Sequence, residues 1–234
     1  MSRSKDVWGI LVAGGRGKRY GRPKHQVELG GRPMWEWGRD ALLEAGAAGV
    51  VVVGPVPDGV PGGGRRRDSV RAGLEHVPES VSFVLVHDAA RPLASAELAR
   101  RVIDRLRVGD ADGVVPALPV RDALKRVEGE WLTETLDRTA IMGVQTPQGF
   151  VAERLIEAHA VVQGDAPDDA ALVEWAGGKV VAIAGETTNL KLTYPADLVA
   201  AEALLTFLRE KWPAGGPKVT QEPGGEGGEG GPST

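Results

Sequence analysis

The residues best suited to chemistry stand at the start of the chain. The apolar run Val7 to Val12 leads into Ala13-Gly14-Gly15-Arg16-Gly17-Lys18-Arg19, and Pro23-Lys24 follows. Glycines let backbone N–H groups approach an anion, and the basic side chains supply charge. A buried strand opening onto such a loop predicts a phosphate site, and the density of cations points to a nucleoside triphosphate. Neither familiar glycine fingerprint fits. A Walker A loop needs Ser or Thr after its Gly-Lys, but here Arg19, Tyr20 and Gly21 follow Lys18; a dinucleotide loop needs a third glycine where Tyr20 stands. The alternative is a solvated glycine turn between a strand and a helix.

Four further clusters carry reactive residue types. Gly62-Gly63-Gly64-Arg65-Arg66-Arg67-Asp68-Ser69-Val70 sets glycines and arginines before a helix, whose N-terminus offers unpaired N–H groups. Taken alone, Ser69 reads as the N-cap of that helix. His87-Asp88-Ala89-Ala90-Arg91-Pro92 follows the apolar run Phe83 to Val86. An Asp at the carboxyl end of a strand is a usual place to hold Mg²⁺ against phosphates. Arg91 could instead simply pair with Asp88, and His87 reads as a satisfied structural histidine rather than a base. The remaining clusters are Arg138 with Gln145-Thr146-Pro147-Gln148, and Asn189-Leu190-Lys191-Leu192-Thr193 ahead of Pro195 and Asp197. Asp197 reads as a helix N-terminal charge.

These clusters need a frame that brings them together. Short apolar runs at Val7–Val12, Val50–Val53, Phe83–Val86, Gly113–Ala117 and Val180–Ile183 read as strands buried on both faces. Helical patterns alternate with them over Pro33–Ala45, Ser69–Val77, Ser95–Arg107, Phe150–Val162 and Ala196–Lys211. The alternation predicts an α/β three-layer sandwich on a mostly parallel sheet, with ligands beyond the carboxyl ends of the strands. Val120 to Val144 departs from this pattern and predicts a hairpin turning near Glu128 to Glu130. Exposed Trp131 and Leu136 would leave it marginal alone, so a second copy of the chain is the expected cover. The domain is placed at 1–212, with the arm at about 119–145. The Gly/Pro/Glu-rich stretch 213–234 is expected to be a disordered tail.

Composition narrows the classes. The net charge of −4 gives no global basic surface for nucleic acid. The absence of cysteine removes disulfides, thiolate metal sites and a Cys nucleophile. No apolar run approaches the roughly 20 residues a membrane span needs, and no signal pattern opens the chain, so the expectation is a soluble cytoplasmic protein.

Taken in this order, the five clusters resemble the 2-C-methyl-D-erythritol 4-phosphate cytidylyltransferases over roughly Val7 to Leu205. The matching residues are Gly15-Arg16-Gly17-Lys18-Arg19, Pro23-Lys24, Gly62-Gly63 with Arg66, Ser69-Val70-Arg71-Ala72-Gly73-Leu74, His87 to Pro92, Thr146-Pro147-Gln148 and Asn189 to Thr193. No single short motif decides; the combination is specific. The resemblance implies a Rossmann-like nucleotidyltransferase fold with a protruding β-arm. The implied reaction takes CTP and a polyol phosphate to a CDP-polyol and pyrophosphate, with Mg²⁺ or another divalent cation.

By the same resemblance, Arg19, Lys24 and Lys191 stabilise charge at the α-phosphate, and Gly14, Gly15 and Gly17 cradle the phosphates. Ala13, Gly63 and Ser69 select the cytosine edge. Asp88 holds the metal, and Asp88 and Arg91 lie near the ribose and the second substrate. Thr146 and Lys191 meet the polyol phosphate, and Arg138 reaches its phosphate across a homodimer. The chain also departs from the family pattern. Only Tyr20, Gly21 and Arg22 separate Arg19 from Pro23-Lys24, and His25 stands where Gln commonly follows the Lys. Ala123 replaces a Thr of the arm, and Thr188 stands where some members carry Asp. A ribitol 5-phosphate cytidylyltransferase is the neighbouring enzymatic alternative, and a non-catalytic nucleotide-binding module the alternative of another class.

Overall fold

A computed structural model describes residues 4–15, 17, 20–21 and 23–211, with the backbone alone at Ser4, Lys24 and Lys211. The Gly/Pro/Glu-rich stretch and Arg19 lie outside the described residues. In chain order the elements are β1 (Ser4–Val12), β2 (Glu28–Leu29), β3 (Arg32–Pro33), α1 (Met34–Glu44), β4 (Ala47–Val53), α2 (Arg66–Leu74), β5 (Phe83–Asp88) and α3 (Ala96–Leu106). Then come β6 (Gly113–Pro119), β7 (Leu124–Glu128), β8 (Trp131–Leu136), β9 (Met142–Val144), β10 (Gln148–Val151), α4 (Ala152–Val161), α5 (Asp169–Trp175), β11 (Val180–Ala184) and α6 (Pro195–Lys211). A 3₁₀ turn spans Lys24–Gln26.

The main sheet runs β11-β6-β10-β5-β1-β4, with β9 attached to the end of β6. Neighbouring strands are parallel except at β10, which opposes both β5 and β6, and at β9. Alternation along the strands divides the apolar side chains between two faces. Ile10, Val84, Val86 and Phe150 pack with Val70 of α2, Leu155 of α4 and Leu172 of α5. Val7, Leu85 and Val114 pack with Leu42 of α1 and Val102 and Leu106 of α3. This is the expected three-layer sandwich: both faces of the central strands are covered, so their sequences read as unbroken apolar runs.

The long helix α6 belongs to a separate cluster, in which Ala201 and Leu205 meet Leu29, Met34 and Leu192. Its start is held by Asp197, whose carboxylate accepts from the N–H groups of Thr193 at 2.6 Å and Tyr194 at 2.7 Å. Asp197 therefore has the helix-terminal role expected of it.

The segment around Gly129 forms the expected hairpin, β7 against β8, as a two-stranded sheet apart from the main one. Both strands are exposed, with Trp131 at 71% and Leu132 at 67% of their full accessibility. Three features differ from the sequence expectation. Helix α2 begins at Arg66, one turn before the expected start, because extended Arg65 precedes it; Ser69 is inside the helix and is not its cap. Strand β10 occupies residues assigned in part to the fourth helix. Helix α5 is capped by Asp168, whose carboxylate accepts from Ala171 N at 2.9 Å.

Candidate active site

The register of the sheet sets the site. Val53, Val12 and Asp88 are cross-strand partners at the carboxyl ends of β4, β1 and β5. The glycine loop after β1, the segment leading into α2 and the turn after β5 therefore leave the sheet along one edge. They enclose a cavity of about 440 Å³. Ala13, Gly14, Gly15 and Gly17 line it from the first loop, Gly63, Gly64, Arg66 and Ser69 from the start of α2, and Asp88, Ala89 and Ala90 from β5 and its turn. Lys191 and Thr193 close it from the segment before α6.

Two local features shape this floor. Gly54, at φ +153°, turns the chain after β4 directly against the first loop; a Cβ there would stand 2.7 Å from the Ala13 carbonyl carbon and 2.8 Å from Gly14 N. No side chain fits between those backbones. Ser69 accepts from Gly63 N at 3.2 Å and donates to Arg65 O at 3.3 Å, so it ties the glycine run to the first turn of α2.

The three successive arginines have separate tasks. Arg65 pairs with Asp68 at the surface, at 2.9 Å. Arg67 points away from the cavity and donates to the carbonyls of His159 and Val162 at 3.2 and 3.0 Å, closing the end of α4. Arg66 faces the site, where Nε donates to Asp88 Oδ1 at 2.9 Å. The second oxygen of Asp88 receives Lys191 Nζ at 2.7 Å. Burial would raise the Asp88 carboxyl, but the charges of Arg66 and Lys191 overcome it and hold the group well below the usual carboxylate range. Asp88 is therefore an anion flanked by two cations, on a floor of glycine N–H groups.

Behind Asp88 a hydrogen-bond chain fixes proton positions. Thr146 Oγ1 accepts from Asp88 N at 3.1 Å and lies 2.8 Å from His87 Nδ1. His87 Nε2 lies 3.2 Å from Arg91 O, which can only accept. Nε2 thus carries the hydrogen, and the Thr146 hydroxyl donates to Nδ1. Burial pushes the imidazole down to about 4, so His87 is neutral and fully engaged. Arg91 does not pair with Asp88; it donates to Asn189 O at 2.8 Å and Val144 O at 3.3 Å, joining β9 to the Lys191 segment. Asn189 Nδ2 bonds Thr146 O at 2.9 Å from the other side.

Of the residues expected to form the site, Ala13, Gly14, Gly15, Gly17, Gly63, Ser69, Asp88 and Lys191 share the cavity wall. Thr146 and Arg91 form its support. Arg138 lies on the exposed arm, just beyond β8. Arg19 and the Lys24 side chain lie outside the described residues. Glu186, near the position where some relatives carry Asp, is committed elsewhere; it accepts from Ser95 Oγ at 2.6 Å and meets Arg101 at 3.5 Å. Arg66 had no role assigned from sequence beyond its motif, and its place as the first residue of a helix opening onto the glycine run is the signal for one.

A chain-wide comparison decides the frame in which this cavity is read: residues 7–207 match the family model for 2-C-methyl-D-erythritol 4-phosphate cytidylyltransferase. The chain belongs to that family. It is 45% identical over 218 residues to the family's protein from Rhodococcus jostii (strain RHA1), covering 85% of this chain and 95% of that one. It is 40% identical over 230 residues to the protein of the same name from Streptomyces coelicolor (strain ATCC BAA-471 / A3(2) / M145), covering 86% and 85%. The crystal structure of the cytidylyltransferase from Thermus thermophilus superimposes with a TM-score of 0.73 at 37% identity, covering 88% of this chain and all of that one. Cytidylyltransferases must hold a triphosphate, and the glycine floor with Arg66 and Lys191 at its edge provides donors and charge for one.

Proposed function

We infer that this protein is an enzyme that transfers CMP from CTP to 2-C-methyl-D-erythritol 4-phosphate, giving the CDP-polyol and pyrophosphate in isoprenoid precursor synthesis. One observation carries the reading: in a chain of this family, the glycine loops meet the Lys191–Asp88–Arg66 ion pair in a single cavity. An oxygen of the acceptor phosphate attacks the α-phosphorus of CTP. The bond from that phosphorus to the bridging oxygen breaks, and pyrophosphate leaves. A phosphate monoester is largely dianionic at neutral pH, its second pKa being about 6, so no general base is required. Catalysis is then positioning and charge stabilisation.

Gly14, Gly15 and Gly17 cradle the triphosphate, while Ala13, Gly63 and Ser69 border the base. Arg19, Lys24 and Lys191 neutralise charge growing at the α-phosphate. Asp88 fits a divalent cation such as Mg²⁺: it is ionised, lines the cavity, and each of its oxygens retains a lone pair beside its one ionic bond. Mg²⁺ is commonly held by one or two carboxylates plus substrate phosphates, and when bound it would offset phosphate charge. Thr146 and Arg91 border the acceptor. The exposed apolar side chains Val127, Trp131 and Leu132 support burial of the arm against a second copy, with Arg138 reaching the acceptor phosphate of the partner.

The deciding assay is pyrophosphate release with CTP, Mg²⁺ and either methylerythritol 4-phosphate or ribitol 5-phosphate, with ATP, GTP and UTP as controls. Release with CTP and the methylerythritol substrate is expected. Preference for ribitol 5-phosphate would refute the acceptor assignment, and no release with any pair would refute the reaction.

A further inference from the structure

The ion pair at the cavity continues into the interior. Arg66 uses Nε for Asp88, but its Nη1 donates to Asp169 Oδ2 at 2.6 Å. Asp169 is fully buried on the first turn of α5 and does not line the cavity. Its other oxygen meets His159 Nε2 at 3.0 Å. The neighbouring Asp168 caps the same helix and also accepts from Gln148 Nε2 at 2.7 Å, so Asp169 stands on an anchored turn.

A buried carboxylate is costly to keep, and one that serves stability alone is often replaceable by apolar packing. The arrangement at Arg66 suggests a different use. A guanidinium is a rigid planar fork, and it prefers to take both oxygens of one carboxylate. Left with Asp88 alone, Arg66 could rotate to claim both Asp88 oxygens, in competition with Lys191. Asp169 occupies the other edge of the fork and prevents that rotation. We propose that Asp169 is a positioning residue for cytidylyl transfer: by holding Nη1 of Arg66 it limits Arg66 to one oxygen of Asp88, and the second oxygen fixes the Lys191 ammonium at the cavity. This inference rests on the function proposed above.

Asp169→Asn tests it, assayed for pyrophosphate release beside the wild type. The expected result is a kcat about tenfold lower in a variant whose melt shows it folded. The dissociation constant for CTP, measured by calorimetry without acceptor, is expected to change less than about threefold. Because Asp169 acts through Lys191, Asp169→Asn combined with Lys191→Met should be no slower than Lys191→Met alone. A kcat within about twofold of wild type overturns the proposal, and so do losses that multiply in the double variant or a loss confined to CTP affinity. If Asp169→Asn does not fold, Arg66→Lys examines the same link, since a lysine cannot bridge both carboxylates; an undiminished kcat there overturns it equally. Wild-type protein inactive on CTP and methylerythritol 4-phosphate would refute the reaction itself, which separates the two failures.

Discussion

Replacing Lys191 by Met keeps the aliphatic stem and removes the ammonium, and the structure predicts opposite sizes for the two consequences. The Lys191 side chain is 44% exposed, and its partner Asp88 keeps Arg66 on its other oxygen. A half-exposed ion pair contributes only about 0–1 kcal/mol to stability, so the melting temperature should fall by no more than about 4 °C. The effect on turnover is larger. A cation about 4 Å from developing phosphoryl charge is worth about 4 kcal/mol at an effective dielectric near 20. Halving that for solvent access leaves about 2 kcal/mol, or about 30-fold in rate; removal of a well-enclosed donor in other active sites costs about 10²–10³-fold. We therefore expect kcat for pyrophosphate release to drop about 30- to 100-fold in a protein that melts almost normally. A kcat within about threefold of wild type would refute placing Lys191 at the reacting phosphate. A collapse in thermal stability would instead refute the reading of the Asp88 pair as secure without it.

Other expectations follow from named contacts. His87 falls from its ordinary 6.5 to about 4 because burial disfavours its charged form. The stability this gives is complete above about pH 6.5 and is lost as the pH falls to about 4, since the unfolded chain takes up the proton first. Its share at pH 5 is about 2 kcal/mol, or about 6 °C in melts run with EDTA; a His87→Gln variant with an equally steep acid limb would contradict this. Gly54→Ala should raise KM for CTP more than it changes kcat, because the added Cβ pushes on the Ala13–Gly14 backbone; an unchanged KM would count against that loop as the triphosphate floor. Arg138→Ala should weaken binding of the polyol phosphate, and an unaltered KM for that substrate would remove the contact across the dimer. Trp131→Ser should shift sedimentation toward monomer at low micromolar concentration, whereas a monomeric wild type would dispose of the arm as an interface.

Much of this architecture could be read from residue patterns. The five apolar runs were legible because both faces of a central strand are buried, and the observed strands contain all five of them. The hairpin was legible from the opposite sign, a polar stretch with a turn at Gly129. Strand β10 was obscured because Gln148-Gly149-Phe150-Val151 is short and runs straight into α4, so its residues resemble a helix start. Gly149 has a physical reason that only packing reveals: a Cβ there would stand 2.5 Å from Val102 and 2.7 Å from Leu106. Helix α5 spans seven residues, too few for a helical period to emerge. At the site, glycine and charge clusters announced the cavity wall. The link from Arg66 to Asp169 joins residues 103 positions apart, and nothing in either local pattern pairs them.

The reversed direction of β10 has a wider consequence. In a wholly parallel sheet the chain would reach the ligand edge only on leaving each strand. Because β10 runs the other way, the chain approaches that edge on its way into the strand, bringing Thr146 directly beside Asp88. The arm departs at Pro119, on the end of β6, and returns at Met142, which pairs with Pro119. Its departure and return are therefore joined at one rim, outside the loops that floor the nucleotide cavity. An insertion hinged in this way can be lengthened, shortened or exchanged without rethreading the sheet. For protein engineering it marks residues 120–141 as a cassette through which acceptor preference could be varied while the nucleotide end of the enzyme is left intact.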